Sequence, residues 1–258
     1  MKTKVLILSL VMMSLACQKD PVSSDSGLAQ ITLKARYISS ATPGTGVNKM
    51  ANTGEINAIT VSRARFLVRN VTLRSALNDS IEFKSDPYII DLNLNGEPNT
   101  ITVKDINAGT YDRLDFNIHK LDDDDPRDLA YFQHPDFRDF IADNRYSIII
   151  EGIVQDGNNP PESFIFRSRE NEKQRHFLNP VLTVDQSTSQ AAVNLEINGE
   201  KWFVAENGSL LDPRDEANQS EISENLEQSI SVSNEKSSDD TVDDSNNGSD
   251  DDNPDYDY

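Results

Sequence analysis

Cysteine is nearly absent: the 258 residues contain one, Cys17. A single thiol excludes an intramolecular disulfide and any zinc site built from several cysteines. Basic residues are scarce as well. Lys and Arg number 24 against 44 Asp and Glu, a formal charge of −20. Nucleic acid demands a basic face that displaces counterions, so that partner is excluded. An anionic membrane surface would repel the chain for the same reason. Long apolar runs are missing too. Crossing a hydrocarbon core of ~30 Å takes about 20 apolar residues, and residues 5–15, broken by Ser9 and Ser14, are too few. There are three histidines, His119, His134 and His176, and no Gly-x-Ser-x-Gly elbow. Neither a glycine-rich phosphate loop nor a strand–helix alternation is present, which argues against a doubly wound nucleotide fold.

The N-terminus is an address. Lys2 and Lys4 precede the apolar run, and Ala16 is a small residue before the cysteine, the pattern of a secretory signal. Ser14-Leu15-Ala16-Cys17 resembles the lipobox of bacterial lipoproteins, with Ser14 where leucine is usual. The resemblance implies that residues 1–16 are removed and that Cys17 is acylated, giving an anchor of several acyl chains without a transmembrane helix. Gln18-Lys19-Asp20 resembles the surface-export signal of Bacteroidetes-type lipoproteins, which implies an outer-membrane protein facing the cell surface. Residues 17–27 are then a small, polar tether.

Residues 28–230 read as one mainly β domain. Leu114, Phe116 and Ile118 alternate with polar residues, as in a half-buried strand. Ile148-Ile149-Ile150 predicts a central strand buried on both sides. Residues 56–74 predict one long strand whose apolar phase slips between Ile59/Val61, Phe66/Val68 and Val71/Leu73, which implies bulges. Asn95-Gly96, Asp156-Gly157 and Asn198-Gly199 are hairpin dipeptides, and Asn107-Ala108-Gly109 is a weaker turn. Eight to ten short strands at such spacing predict an antiparallel β-sandwich of the transthyretin or immunoglobulin type. The stretch Gly109-Thr110-Tyr111-Asp112-Arg113-Leu114 resembles a turn and strand of β-sandwich domains of unknown function in bacterial lipoproteins, and Trp202-Phe203 with Leu211-Asp212-Pro213 resembles their C-terminal part. That resemblance implies a secreted sandwich and carries over no catalytic residue.

Residues 119–145 predict a long Asp-rich loop with a short helix near 136–142. Residues 216–230 predict a C-terminal helix, with Ile222, Leu226 and Ile230 in one stripe and Asn218 as N-cap. Residues 231–258 predict a disordered acidic tail, because Asp, Ser and Asn dominate from 237 on.

Four residues form the candidate metal set: His119, Asp122, Asp124 and His134. Clustered carboxylates suit calcium, which takes six to eight oxygens, and histidine with carboxylate suits a transition metal. Adjacent aspartates in an extended segment diverge, so only part of the run is expected to converge. Asp243, Ser245, Asn247 and Asp251 carry calcium-loop spacing, but Pro254 stands where the bidentate glutamate belongs. Ser80 and Thr241, in Asp-Ser-Ile and Asp-Thr-Val, resemble O-glycosylation sequons of Bacteroidetes-type secreted proteins. Arg167, Arg169, Lys173, Arg175 and His176 form the basic cluster, which either binds an anion or pairs with the chain's own carboxylates. Together these readings predict a non-catalytic, lipid-anchored module with no cofactor, partnered by the membrane through its lipid and by a protein or glycan ligand. One alternative is a calcium- or metal-dependent binder; a second is a secreted hydrolase.

Overall fold

The computed structural model describes residues 28–39, 56–77, 79, 81–157, 159–185 and 190–237. Among the described residues eleven strands form two sheets: β1 (Leu28–Ile38), β2 (Ala58–Ser75), β3 (Ile81–Lys84), β4 (Tyr88–Asp91), β5 (Asn99–Asn107), β6 (Gly109–Ile118), β7 (Ile148–Gln155), β8 (Glu162–Ser168), β9 (Glu172–Val184), β10 (Gln190–Asn198) and β11 (Ile230–Ser237). The smaller sheet has the order β11-β10-β1-β5. The larger has β8-β7-β2-β6-β9, with β3 and β4 also paired to β2. The chain is a β-sandwich with a C-terminal helix, α2 (Gln219–Gln228). Every pairing is antiparallel except β1 with β10, which is parallel, a departure from the purely antiparallel expectation.

The long strand bends where the apolar phase slips. Register shifts fall between Val61 and Arg63 and between Arg69 and Thr72, and Asn70 adopts a φ of 53° at the second. Each shift restores the inward phase, so Ile59, then Ala64, Phe66 and Val68, then Val71 and Leu73 all reach the core. One strand thereby serves β7 and β4 with its first half and β6 and β3 with its second.

The main core lies between the sheets and includes Leu33, Phe66, Phe116, Leu195, Trp202 and Phe203. Trp202 is fully buried and its indole N–H donates to Ser229 Oγ at 3.0 Å, which satisfies the one polar atom it brings inside. A second cluster lies on the other face of the larger sheet, where Leu67 and Ile149 meet Leu121, Phe137, Phe140 and Tyr146. Ile148 and Ile150 face the first core and Ile149 the second, so β7 is buried on both sides as the triple isoleucine predicts.

Four local expectations are corrected. Asn95-Gly96 makes no hairpin: it lies between β4 of the larger sheet and β5 of the smaller, so the strands on either side of it do not pair. The expected turn at Asn107-Ala108-Gly109 carries the chain from β5 back to β6 of the larger sheet, and there Tyr111 Oη donates to the Asn107 carbonyl at 2.7 Å. Asn198-Gly199 also makes no hairpin, because a 3₁₀ turn over Gly199–Lys201 follows, with Asn198 capping the Glu200 N–H. Asn218 is not a side-chain cap: it is already helical, and Asp215 accepts from the Ala217 N–H one turn earlier. Finally, the folded chain does not end at 230. Ile230–Ser237 is β11, antiparallel to all of β10 from Gln190 to Ile197, because an otherwise bare edge of the smaller sheet offers its polar backbone to whatever follows the helix. Residues 238–258 lie outside the described residues.

Candidate functional site

The Asp-rich segment is a lid on the larger sheet. Arg63, Arg65, Leu67 and Arg69 alternate along β2 and share the face away from the main core. Residues 119–145 cross that face, with 3₁₀ turns at Tyr131–Gln133 and Pro135–Phe137 and the short helix α1 (Arg138–Ile141), near the predicted place. The segment's apolar side chains cover Leu67 and Ile149, and its acids meet the arginines.

Arg69 and Asp128 are the deepest pair. Their side chains are 6% and 0% exposed and 2.9 Å apart. Arg69 also reaches Asp125 at 2.8 Å, and Asp128 Oδ2 accepts from the Asp122 backbone N–H at 2.8 Å. Asp125 binds Arg127 as well, and Arg127 donates to Asn70 Oδ1 at 3.1 Å. Arg65 holds Asp139 at 2.7 Å and Glu151 at 3.0 Å, with its guanidinium over the Phe140 ring. Arg145 holds Asp123 at 2.7 Å. The guanidiniums hydrogen-bonded to Asp123, Asp125 and Asp139 keep those carboxyls below the usual range. Burial pushes Asp128 the other way.

The metal set is brought together in part. Asp122 and Asp124 converge, with Asp123 as a third member, so that one oxygen from each lies within 4.8 Å of the others. The divergence expected of an extended run is removed by a turn, in which the Asp125 N–H donates to the Asp122 carbonyl and the Asp124 N–H to Asp122 Oδ1. All three are exposed, and Asp123 already has Arg145. The histidines are placed elsewhere. His119 Nδ1 lies 3.0 Å from Arg69 Nη1, and His134 Nδ1 accepts from the Asp136 N–H at 3.3 Å. Three carboxylates at a surface turn supply part of a calcium sphere, the rest of which water would have to fill.

The basic cluster is divided between two places. Arg167 and Arg169 both lie over the Tyr146 ring, 5.4 and 5.8 Å from its centroid, and line an open pocket of about 410 Å³ with Ile165, Pro213 and Arg214. Lys173 and Arg175 point outward from β9 and line an open groove of about 480 Å³. There Asp115 of β6 accepts from Arg74 Nε at 2.7 Å, with Arg113 at 3.2 Å and Arg175 at 3.4 Å. Asp79 ties Arg74 and Arg113 together from the other side. His176 belongs to neither site. It stands opposite Leu114, stacked on Phe116, where burial lowers its pKa.

Sequence reasoning missed Arg65, Arg69, Arg74 and Arg113. The available signal for Arg65 and Arg69 was alternation: with Arg63 they stand at every second or fourth place of one strand and, in a chain with few cations, mark a face that acids must cover. Cys17, Ser80 and Thr241 lie outside the described residues.

No family model matches the chain, and no curated protein matches it. Among solved structures it is similar to MbnP from Methylosinus trichosporium, at 12% identity and a TM-score of 0.33, over 66% of this chain and 76% of that one.

Proposed function

We propose that this chain is a non-catalytic binding or structural module, lipid-anchored through Cys17 at the outer membrane and facing the cell surface. The structural observation that carries the non-catalytic reading is how the charged side chains are spent. Arg65, Arg69, Arg74, Arg113, Arg145 and Arg214 are each engaged by carboxylates of the fold itself. At Asp123, Asp125 and Asp139 the guanidinium favours the ionised carboxylate, which is the wrong state for a general acid. The anchor reading rests on Ser14-Leu15-Ala16-Cys17. A protein or glycan ligand then has the open recess beside Arg167, Arg169 and Arg214 available.

The test is a Cys17→Ser variant expressed beside the native chain. The native chain is expected in the outer-membrane fraction and accessible to protease on whole cells, and the variant in neither state. A second reading, calcium-dependent binding, is favoured by the convergence of Asp122, Asp123 and Asp124. It predicts that calcium raises the melting temperature of the native chain and not of an Asp122→Asn/Asp124→Asn variant.

A further inference from the structure

We infer that the outer face of β2, β6 and β9 is a cation-lined docking groove, and that its occupant is this chain's own acidic segment, residues 238–258.

The groove is positive in a negative molecule. Arg74, Lys173 and Arg175 line it with Asp115, so the charge of its lining is 3 − 1 = +2, while the whole chain carries −20. One of these cations is fixed in advance: Arg74, with Arg113 beside the groove, is clamped between Asp115 and Asp79. The other two are open. The Arg175 side chain is 63% exposed, with only a 3.4 Å contact from Nε to Asp115, and Lys173 has no ion pair among the described residues. The guanidinium fork of Arg175 therefore keeps its paired terminal N–H donors for a carboxylate, the geometry in which arginine binds most strongly.

Residues 238–258 supply the complement. They contain nine aspartates and no Lys or Arg. They also start beside the right edge. β9 is the edge strand of the larger sheet on the side of the groove, and β11 runs beside it, with Asn234 donating to the Pro180 carbonyl at 2.6 Å. β11 continues three residues past Asn234 to Ser237, so the way back to Arg175 is about eight residues of strand, ~26 Å at a strand rise of ~3.3 Å. Asp250, Asp251 and Asp252 lie thirteen to fifteen residues past Ser237, a reach of about 45 Å when extended. They can turn round the β9 edge with slack to spare. Attachment matters for the energetics, because exposed ion pairs are weak one at a time. A short flexible connection holds its end at an effective concentration in the millimolar range, so about millimolar intrinsic affinity suffices to populate the docked state.

The test uses the full-length chain carrying Cys17→Ser and Ser249→Cys, with a nitroxide spin label on the new cysteine. At low salt the amide peaks of Asn117, Lys173 and Arg175 are expected to vanish through paramagnetic broadening. They are expected to return in 1 M NaCl, where the Debye length is about 3 Å. They are also expected to return in a Lys173→Glu/Arg175→Glu variant that keeps a dispersed spectrum. No broadening at low salt, or broadening spread evenly over the surface, overturns the inference. Broadening equally strong when the label sits on a different, isotopically silent chain overturns it too, in favour of a second copy as occupant.

Discussion

Asp128 and Arg69 pin the lid to the sheet from below. The Asp128 side chain is wholly buried, so Asp128→Ala strips Arg69 of a partner in a place water does not reach. Breaking a buried pair in this way costs about 3 kcal/mol, and urea unfolding of the variant should show it. A loss under ~1 kcal/mol, the range of an exposed pair, would contradict the assignment. His176 gives a pH signature. Burial holds its folded pKa below the ordinary value, against the pull of Asp115. As pH falls through about 6.5 the unfolded chain takes the proton first. The stability this group contributes is therefore present above that pH and lost as pH falls toward the folded value. His176→Gln should flatten the urea midpoint between about pH 7 and 5 relative to the native chain. An unchanged slope would show that another group sets it. Asp123, Asp125 and Asp139 are depressed by their arginines, so their contribution is lost only at lower pH, below about 4.

Gly152, an element-scale case, stands where two strands press together: a Cβ there would run into the Thr60 carbonyl and the Phe164 ring. Gly152→Ala should cost about 1–3 kcal/mol, as overpacking does, read as a lowered urea midpoint. β11 offers a sharper contrast. A chain cut after Ser237 should unfold at the native denaturant concentration, while one cut after Ser229 bares the whole β10 edge and should be destabilised or insoluble. Equal stability of the two would place the end of the fold at 230 after all. β11 was hidden in the sequence because Ser231, Ser233 and Asn234 make it polar, and its pairing is by backbone. The bulged β2, by contrast, was legible from its slipping apolar phase, and the two-sided β7 from three isoleucines in a row. Periodicity records which face is buried; it does not record which edge is covered.

The whole molecule spends its few cations on its many acids. That long-range pairing is why the Asp-rich segment reads as a metal loop in sequence and folds as an arginine-held lid: Arg69 is 56 residues from Asp125, and no local pattern joins them. Convergence of Asp122 with Asp124 was legible as proximity in sequence, whereas the turn that adds Asp123 and leaves the histidines aside was not. The proposed anchor at Cys17 is tested most directly by mass spectrometry of the mature N-terminal peptide from membrane-extracted protein. The account predicts a chain that begins at Cys17 and carries acyl chains on that residue. A mature chain cleaved elsewhere, or one that starts at an unmodified Cys17 and leaves the membrane with a salt wash, would contradict it.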